Sequence, residues 1–380
     1  MPRDRAVAER FLSPEGHPGE ARGKTNRRRL DRGGRLAHLF HGRRALDAFA
    51  MLAVVAACVV VVLRNLHAAD RTAALLNASY SATDDLYRDL NAAFSAHRAT
   101  EGAAPVVVHQ THGGSSRQSR AIAEGMAADV ATLAFFTDID GLRKRGLVAD
   151  GWAERLPNHS VPYTSTVVFV VRKGNPRHIH DFGDLVSPEV TVVTPNPRTS
   201  GNGKLAFLAA WGSILYRGGT SEEARAFVSS LYRHVVSLDP GAREASVRFV
   251  DEKVGDVLLT WESEAAQDVA EAKGELEIVY PIASIRAEPC VAWIDANARR
   301  HGTEALAKSY LEFLFTEPAQ EIIAMHHLRP VSFAARERHQ ADLPRIELFP
   351  ITLLASSWEE AQRRFFDDDG VFEAIAAGGR

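Results

Sequence analysis

His112-Gly113-Gly114-Ser115-Ser116-Arg117-Gln118 is the stretch on which the reading of this chain turns. It follows an apolar, β-branched run, Val106-Val107-Val108, and precedes the helical pattern Ile122-Ala123-Glu124-Gly125-Met126. A strand therefore feeds a glycine–serine turn that opens a helix. The first turn of a helix leaves four backbone N–H groups without partners, and the aligned peptide dipoles make that end partly positive. Glycines let an anion approach those N–H groups, and serines add hydroxyl donors. The stretch has the chemistry to hold a small oxyanion, although a Ser N-cap on an ordinary turn has the same look.

Two further joints repeat the design. Leu75-Leu76-Asn77-Ala78-Ser79-Tyr80-Ser81 is a strand entering the helix pattern Asp85 to Phe94, with Ser81 and Asp84 spaced close to a capping box. The strand Val190-Thr191-Val192-Val193-Thr194 leads through Pro195-Asn196-Pro197-Arg198-Thr199-Ser200-Gly201-Asn202-Gly203 into a helix over Leu205 to Trp211. Three such joints can converge on one ligand.

Around them, strand and helix patterns alternate. Val130 to Phe136, Thr166 to Val171, Val257 to Trp261, Glu277 to Tyr280 and Cys290 to Ile294 read as strands. Asp138 to Arg145, Glu222 to Val236, Glu304 to Phe315, Pro318 to Met325 and Trp358 to Phe366 read as helices. The alternation predicts an α/β protein with mostly parallel sheets, in which ligands sit at the carboxyl ends of strands, where the joints lie.

A net charge of −3 over 380 residues gives no global sign of nucleic-acid binding. Residues 1–44 are rich in arginine, with Arg27-Arg28-Arg29 and Arg43-Arg44, and read as a disordered basic tail. Within the segment 45–69, Ala48 to Leu63 forms an uncharged, almost wholly apolar run. Basic residues before it orient the remainder outward across a membrane, so residues 46–63 are expected to be an export signal or an uncleaved anchor. Val55-Ala56-Ala57-Cys58 also has the form of a lipoprotein box, and a start at Met51 would strip off the basic flank. The rest of the chain holds a single cysteine, Cys290, which suits an exported bacterial protein without disulfides.

Several functions are disfavoured. Gly201-Asn202-Gly203-Lys204 is too short for a P-loop, no Gly-x-Ser-x-Gly elbow exists, and His178-Ile179-His180 and His326-His327 lack a third metal ligand at sensible spacing. Asp367-Asp368-Asp369-Gly370 lacks the rest of a calcium loop. No enzyme activity, cofactor or metal is expected.

The motifs together resemble a known family. Gln110-Thr111-His112-Gly113-Gly114-Ser115, Ala128-Asp129-Val130-Ala131-Thr132-Leu133-Ala134, Pro162-Tyr163-Thr164-Ser165-Thr166 and Val171-Arg172-Lys173-Gly174-Asn175-Pro176 belong to the pattern. So do Leu75 to Tyr80, Thr194-Pro195-Asn196-Pro197, Leu208-Ala209-Ala210-Trp211-Gly212, Gly255-Asp256-Val257-Leu258 with Trp261-Glu262, and Arg329-Pro330. From about Leu75 to about Phe372 the chain resembles the periplasmic sulfate-binding proteins, the solute receptors of sulfate/thiosulfate ABC transporters. The resemblance implies a two-lobed α/β fold of the type II periplasmic-binding-protein class, a mixed sheet flanked by helices in each lobe, and an anion in the cleft. Lobe I would take 72–162 plus 263–380 and lobe II 163–262, with crossings near Pro162-Tyr163-Thr164 and Trp261 to Ala265. The C-terminal helices would pack on lobe I. A monomer serving the membrane subunits of an importer is implied, with thiosulfate or a molybdate-type oxyanion as the alternative ligand and an anion-ester hydrolase as the distant one.

By the same resemblance, the anion contacts fall on backbone N–H groups of Ser81, Ser115, Gly201, Asn202 and Ala242, the Ser200 hydroxyl and the Trp261 indole. On spacing alone Trp261 reads first as a core aromatic, and the resemblance gives it the ligand role. Asp138 and Arg243 would be charges that steady the donor peptides without touching the anion. Two positions depart from the family pattern: Ser81 replaces Asp, and Asn202 replaces the second Gly of Ser-Gly-Gly. A donor-only site suits sulfate, which has no proton at neutral pH. Hydrogen phosphate would need an acceptor, and an unmade buried hydrogen bond costs about 1–3 kcal/mol.

Overall fold

The computed structural model describes residues 49–61 and 73–378. Residues 49–61 form an exposed helix, in a different unit from residues 69–380. No helix among the described residues is long and apolar enough to cross a membrane. The basic tail 1–44 and the ends of the apolar run lie outside the described residues.

The described residues of the larger unit form thirteen strands in chain order. β1 (Ala73–Tyr80), β2 (Val106–Gly113) and β3 (Val130–Leu133) are followed by β4 (Tyr163–Thr164), β5 (Val167–Arg172) and β6 (Val192–Pro195). β7 (Val235–Asp239), β8 (Val257–Trp261), β9 (Leu276–Val279) and β10 (Ala283–Ile285) come next, then β11 (Cys290–Trp293), β12 (Arg329–Pro330) and β13 (Glu347–Phe349). Two sheets dominate, in the orders β11-β3-β1-β2 and β7-β6-β8-β5-β9. Each is mixed rather than mostly parallel: β11 runs against β3, and β5 runs against both β8 and β9. β3, β5 and β8 are buried along nearly their whole length, which explains their unbroken Val/Leu/Phe runs.

Three boundaries differ from the sequence reading. The second sheet runs past residue 262, because β9 hydrogen-bonds to β5. The return crossing between sheets therefore lies between Val279 and Cys290 and not at Trp261 to Ala265; the outward one, between β3 and β5, passes through Tyr163–Thr164. The helix expected to reach Val236 stops at His234, and Val235 opens β7. The C-terminal helix Trp358–Phe366 touches the first lobe, Trp358 against Phe135 and Glu359 against Lys144, but it and Val371–Gly378 also pack on the other side. Phe365 and Phe372 stand against Phe207 on the Gly201–Tyr216 helix, which flanks the second sheet. That helix is apolar on nearly every side and needs cover from both the sheet and the chain's last helices. The core follows this division: one cluster around Phe207 and Trp211, another around Tyr87, Phe94 and Tyr310.

Candidate anion-binding site

Strand register brings the joints level. Tyr80 is opposite Gly113 at the carboxyl ends of β1 and β2, so the turns that follow emerge side by side. After β1 a short 3-10 turn, Ser81–Thr83, precedes the helix Asp84–Thr100. The Ser81–Asp84 capping box does not form, since the intervening turn makes Thr83 the N-cap. After β2, Gly114 caps the helix Ser115–Ala123. The second sheet contributes Ser200, N-cap of the Gly201–Tyr216 helix, whose hydroxyl accepts from the Gly203 N–H at 3.3 Å. It also contributes Gly241, which caps Ala242–Val250.

These ends meet at a cavity of about 370 Å³. Ser81, Ser115, Ser200, Gly201, Asn202, Ala242 and Trp261, the seven residues expected to contact an anion, all line it. The N–H groups of Ser115, Gly201, Asn202 and Ala242 have no backbone acceptor among the described residues. Trp261 is almost fully buried and lies against Tyr80, ring centroids 5.9 Å apart.

Glycines are required by close approach. A Cβ on Gly201 would lie 2.8 Å from the Phe135 ring, and one on Gly203 would collide with the Pro195 carbonyl and the Asn196 backbone. Gly114 faces the Thr199 carbonyl from the other side, 3.4 Å from where its Cβ would be. The two sides thus meet with Gly114 against the Thr199 backbone and the Phe135 ring against Gly201.

The donor turns are braced from behind. Asp138 is buried and accepts from the Ser115 and Ser116 hydroxyls at 2.5 and 2.8 Å, while the Ser115 oxygen accepts from the Ala134 N–H at 2.9 Å. Burial holds the Asp138 carboxyl above its usual range, against the pull of those hydroxyls and of Lys204. Arg243 is placed differently: it is exposed, lies 3.8 Å from Glu271, and lines a neighbouring cavity instead of this one. Thr199 donates to the Pro240 carbonyl at 2.8 Å, and the Asn196 N–H to that of Asp239 at 2.7 Å, which locks the Ser200 and Ala242 loops together.

Sequence reading missed three residues at the site. Gln118 donates to the carbonyls of Ser79 (3.0 Å) and Thr111 (2.8 Å), joining the first two joints. Lys204 is largely buried between the Phe135 and Phe366 rings and donates to Gln362 at 2.9 Å; burial lowers its pKa. Glu244 is the only acidic side chain lining the cavity among the described residues, where none was expected. Gln118 and Lys204 lay inside stretches already singled out, Gln118 in the glycine–serine turn and Lys204 in the segment too short for a P-loop; Glu244 lay in none. Asn202 donates to Thr260 at 3.1 Å, and its other amide atom, Oδ1, is buried without a partner.

A cleft walled by helix openings and free peptide N–H groups is the site of a receptor for a small anionic solute, built on the two-lobed α/β fold of the type II periplasmic binding proteins. The chain belongs to the bacterial extracellular solute-binding protein family, whose model matches residues 75–329. It is 42% identical over 304 residues to the sulfate-binding protein of Escherichia coli K12, covering 80% of this chain and 92% of that one. It is 41% identical over 303 residues to the thiosulfate-binding protein of Pseudomonas aeruginosa, covering 79% and 91%. The structure of the sulfate-binding protein SubI from Mycobacterium tuberculosis superposes with a TM-score of 0.70 at 29% identity, covering 78% of this chain and all of that one.

Proposed function

We propose that this chain captures sulfate outside the cytoplasm and delivers it to the membrane subunits of an ABC-type importer, as a monomer. The observation that carries the reading is that residues whose peptide N–H groups have no backbone acceptor among the described residues line one cavity. Sulfate's oxygens are all acceptors, and hydrogen bonds to a charged partner contribute roughly 1.5–3 kcal/mol each, enough in sum to offset desolvation of the dianion without a salt bridge. The relatives named above carry the names of binding proteins, in keeping with a receptor and not an enzyme.

In this reading Ser81 and Ser115 face the anion from the lobe built on the first sheet. Ser200, Gly201, Asn202, Ala242 and Trp261 face it from the other, and binding closes the lobes by hinge bending. Asp138 acts behind the Ser115 turn. The apolar run at 46–63 exports the chain to the periplasm or tethers it there. Thiosulfate is the second ligand to weigh, because a thiosulfate-binding protein stands almost as close in sequence as a sulfate-binding one. Isothermal titration with sulfate, thiosulfate and molybdate is the test. Saturable sulfate binding with one site supports the reading; heat only from molybdate, or none at all, ends it.

A further inference from the structure

Glu244 is the third residue of the Ala242–Val250 helix, and its carboxylate folds back over the N-cap, Gly241. The space a Cβ at Gly241 would take is filled by Glu244 Oε2, with Oε1 3.8 Å away, so a side chain at 241 would push the carboxylate aside. The carboxylate thus stands at the opening of the helix whose first residue, Ala242, lines the cavity, and the walls are otherwise free of acidic side chains among the described residues. No ion pair engages it among the described residues: on its own helix Arg243 leans toward Glu271 and Arg248 engages Asp239 and Glu252, and of the arginines that line the cavity from elsewhere, Arg117, Arg120 and Arg198, the last is held by Glu373. The Ser115 and Gly201 helices, by contrast, carry no acidic residue in their first turns.

Two consequences follow from elementary electrostatics. A fixed negative charge repels a dianion twice as strongly as a monoanion at the same distance. A carboxylate can only accept, so an anion bearing a hydroxyl finds in it a partner for a short, charge-assisted hydrogen bond, whereas sulfate finds only repulsion. We infer that Glu244 is a specificity-determining residue that lowers the site's preference for proton-free dianions such as sulfate and admits oxyanions of the hydrogen phosphate type. The inference rests on the anion-receptor reading above and deepens it.

The test compares sulfate with phosphate at mildly alkaline pH, where both are dianions and only phosphate carries a proton. Titrations use the full chain, as wild type, Glu244→Gln and Glu244→Ala. Both variants should bind sulfate several-fold more tightly, and their preference for sulfate over phosphate should rise about tenfold above wild type. A preference unchanged within about twofold in both variants overturns the inference while leaving sulfate capture intact. Wild type that binds neither anion removes the receptor reading and this inference together.

Discussion

The anion cavity and the cavity beside it share Ser81 and Ala82 in their walls, yet they are filled in opposite ways. At the first, the Ser115 and Gly201 helices open without an acidic residue in their first turns, and the N–H groups of Ser115, Gly201 and Asn202 have no backbone acceptor among the described residues. At the second, of about 460 Å³, the Glu262–Glu271 helix opens on Glu262 and Glu264, so its positive end is already answered from within the chain. Glu262 is further gripped by Arg329 through two 2.7 Å bonds. The same backbone device thus serves the binding site at the Ser115 and Gly201 helices, which lack such carboxylates, and a structural joint at the Glu262 helix, which carries them; the Ala242 helix, with Glu244 in its first turn, stands between the two.

The largest effect is expected at the structural joint. Arg329→Met leaves the buried Glu262 charge unpaired and should destabilise the fold by about 3–5 kcal/mol in chemical denaturation. A loss under about 1 kcal/mol would mean that the pair is no tighter than a surface one, and the contrast between the two openings would weaken.

The second cavity should also govern how stability responds to pH. Burial, then the charge of Asp268, pushes the Glu264 carboxyl up to about 7, and burial pushes Asp268 to about 6. Both exceed their unfolded values, so the folded chain holds protons that the unfolded chain releases. Their contribution is complete below the unfolded pKa and is lost as pH rises through 6 and 7. Acidifying from about pH 7.5 to about 5 should therefore raise the unfolding free energy, by something on the order of 2–3 kcal/mol. Glu264→Gln should flatten that slope; an unaltered slope would place its origin outside this cavity.

At the anion cavity the effects are smaller and fall on affinity. Ser200→Ala and Trp261→Phe should each weaken sulfate binding by about 1–3 kcal/mol in calorimetry, the loss of one hydrogen bond to a charged partner. If both variants match wild type, those two groups do not touch the ligand. Least of all, Arg117→Gln at the cavity's exposed rim should slow sulfate association only a few-fold at low salt. The difference should disappear in stopped-flow traces at about 1 M salt, where screening reaches only about 3 Å.

What was legible in the sequence follows the same contrast. β5 and β8 declare themselves because buried strands need apolar runs, and the glycine–serine joints because free helix ends need small, polar residues. β7 was hidden: its Val235-Val236 continues the spacing of the preceding helix, and as an edge strand paired only with β6 it leaves Val236 and Leu238 exposed. β9 is four residues long with one buried, too faint to mark where the second sheet ends. The seven cavity residues came from resemblance to a family pattern, and the structure gathers them. Lys204 and Glu244 could not be read in advance, because their roles depend on Phe135, Phe366 and Gly241 being brought to them by the fold.

Arg198, two residues ahead of Ser200, is clasped by Glu373 through bonds of 2.7 and 2.6 Å, so the Ser200 loop is moored to the final helix of the protein. A dye on that helix would therefore sit one ion pair away from the ligand and could report loading without entering the pocket. By the same mooring, a purification tag fused there would not be a neutral addition.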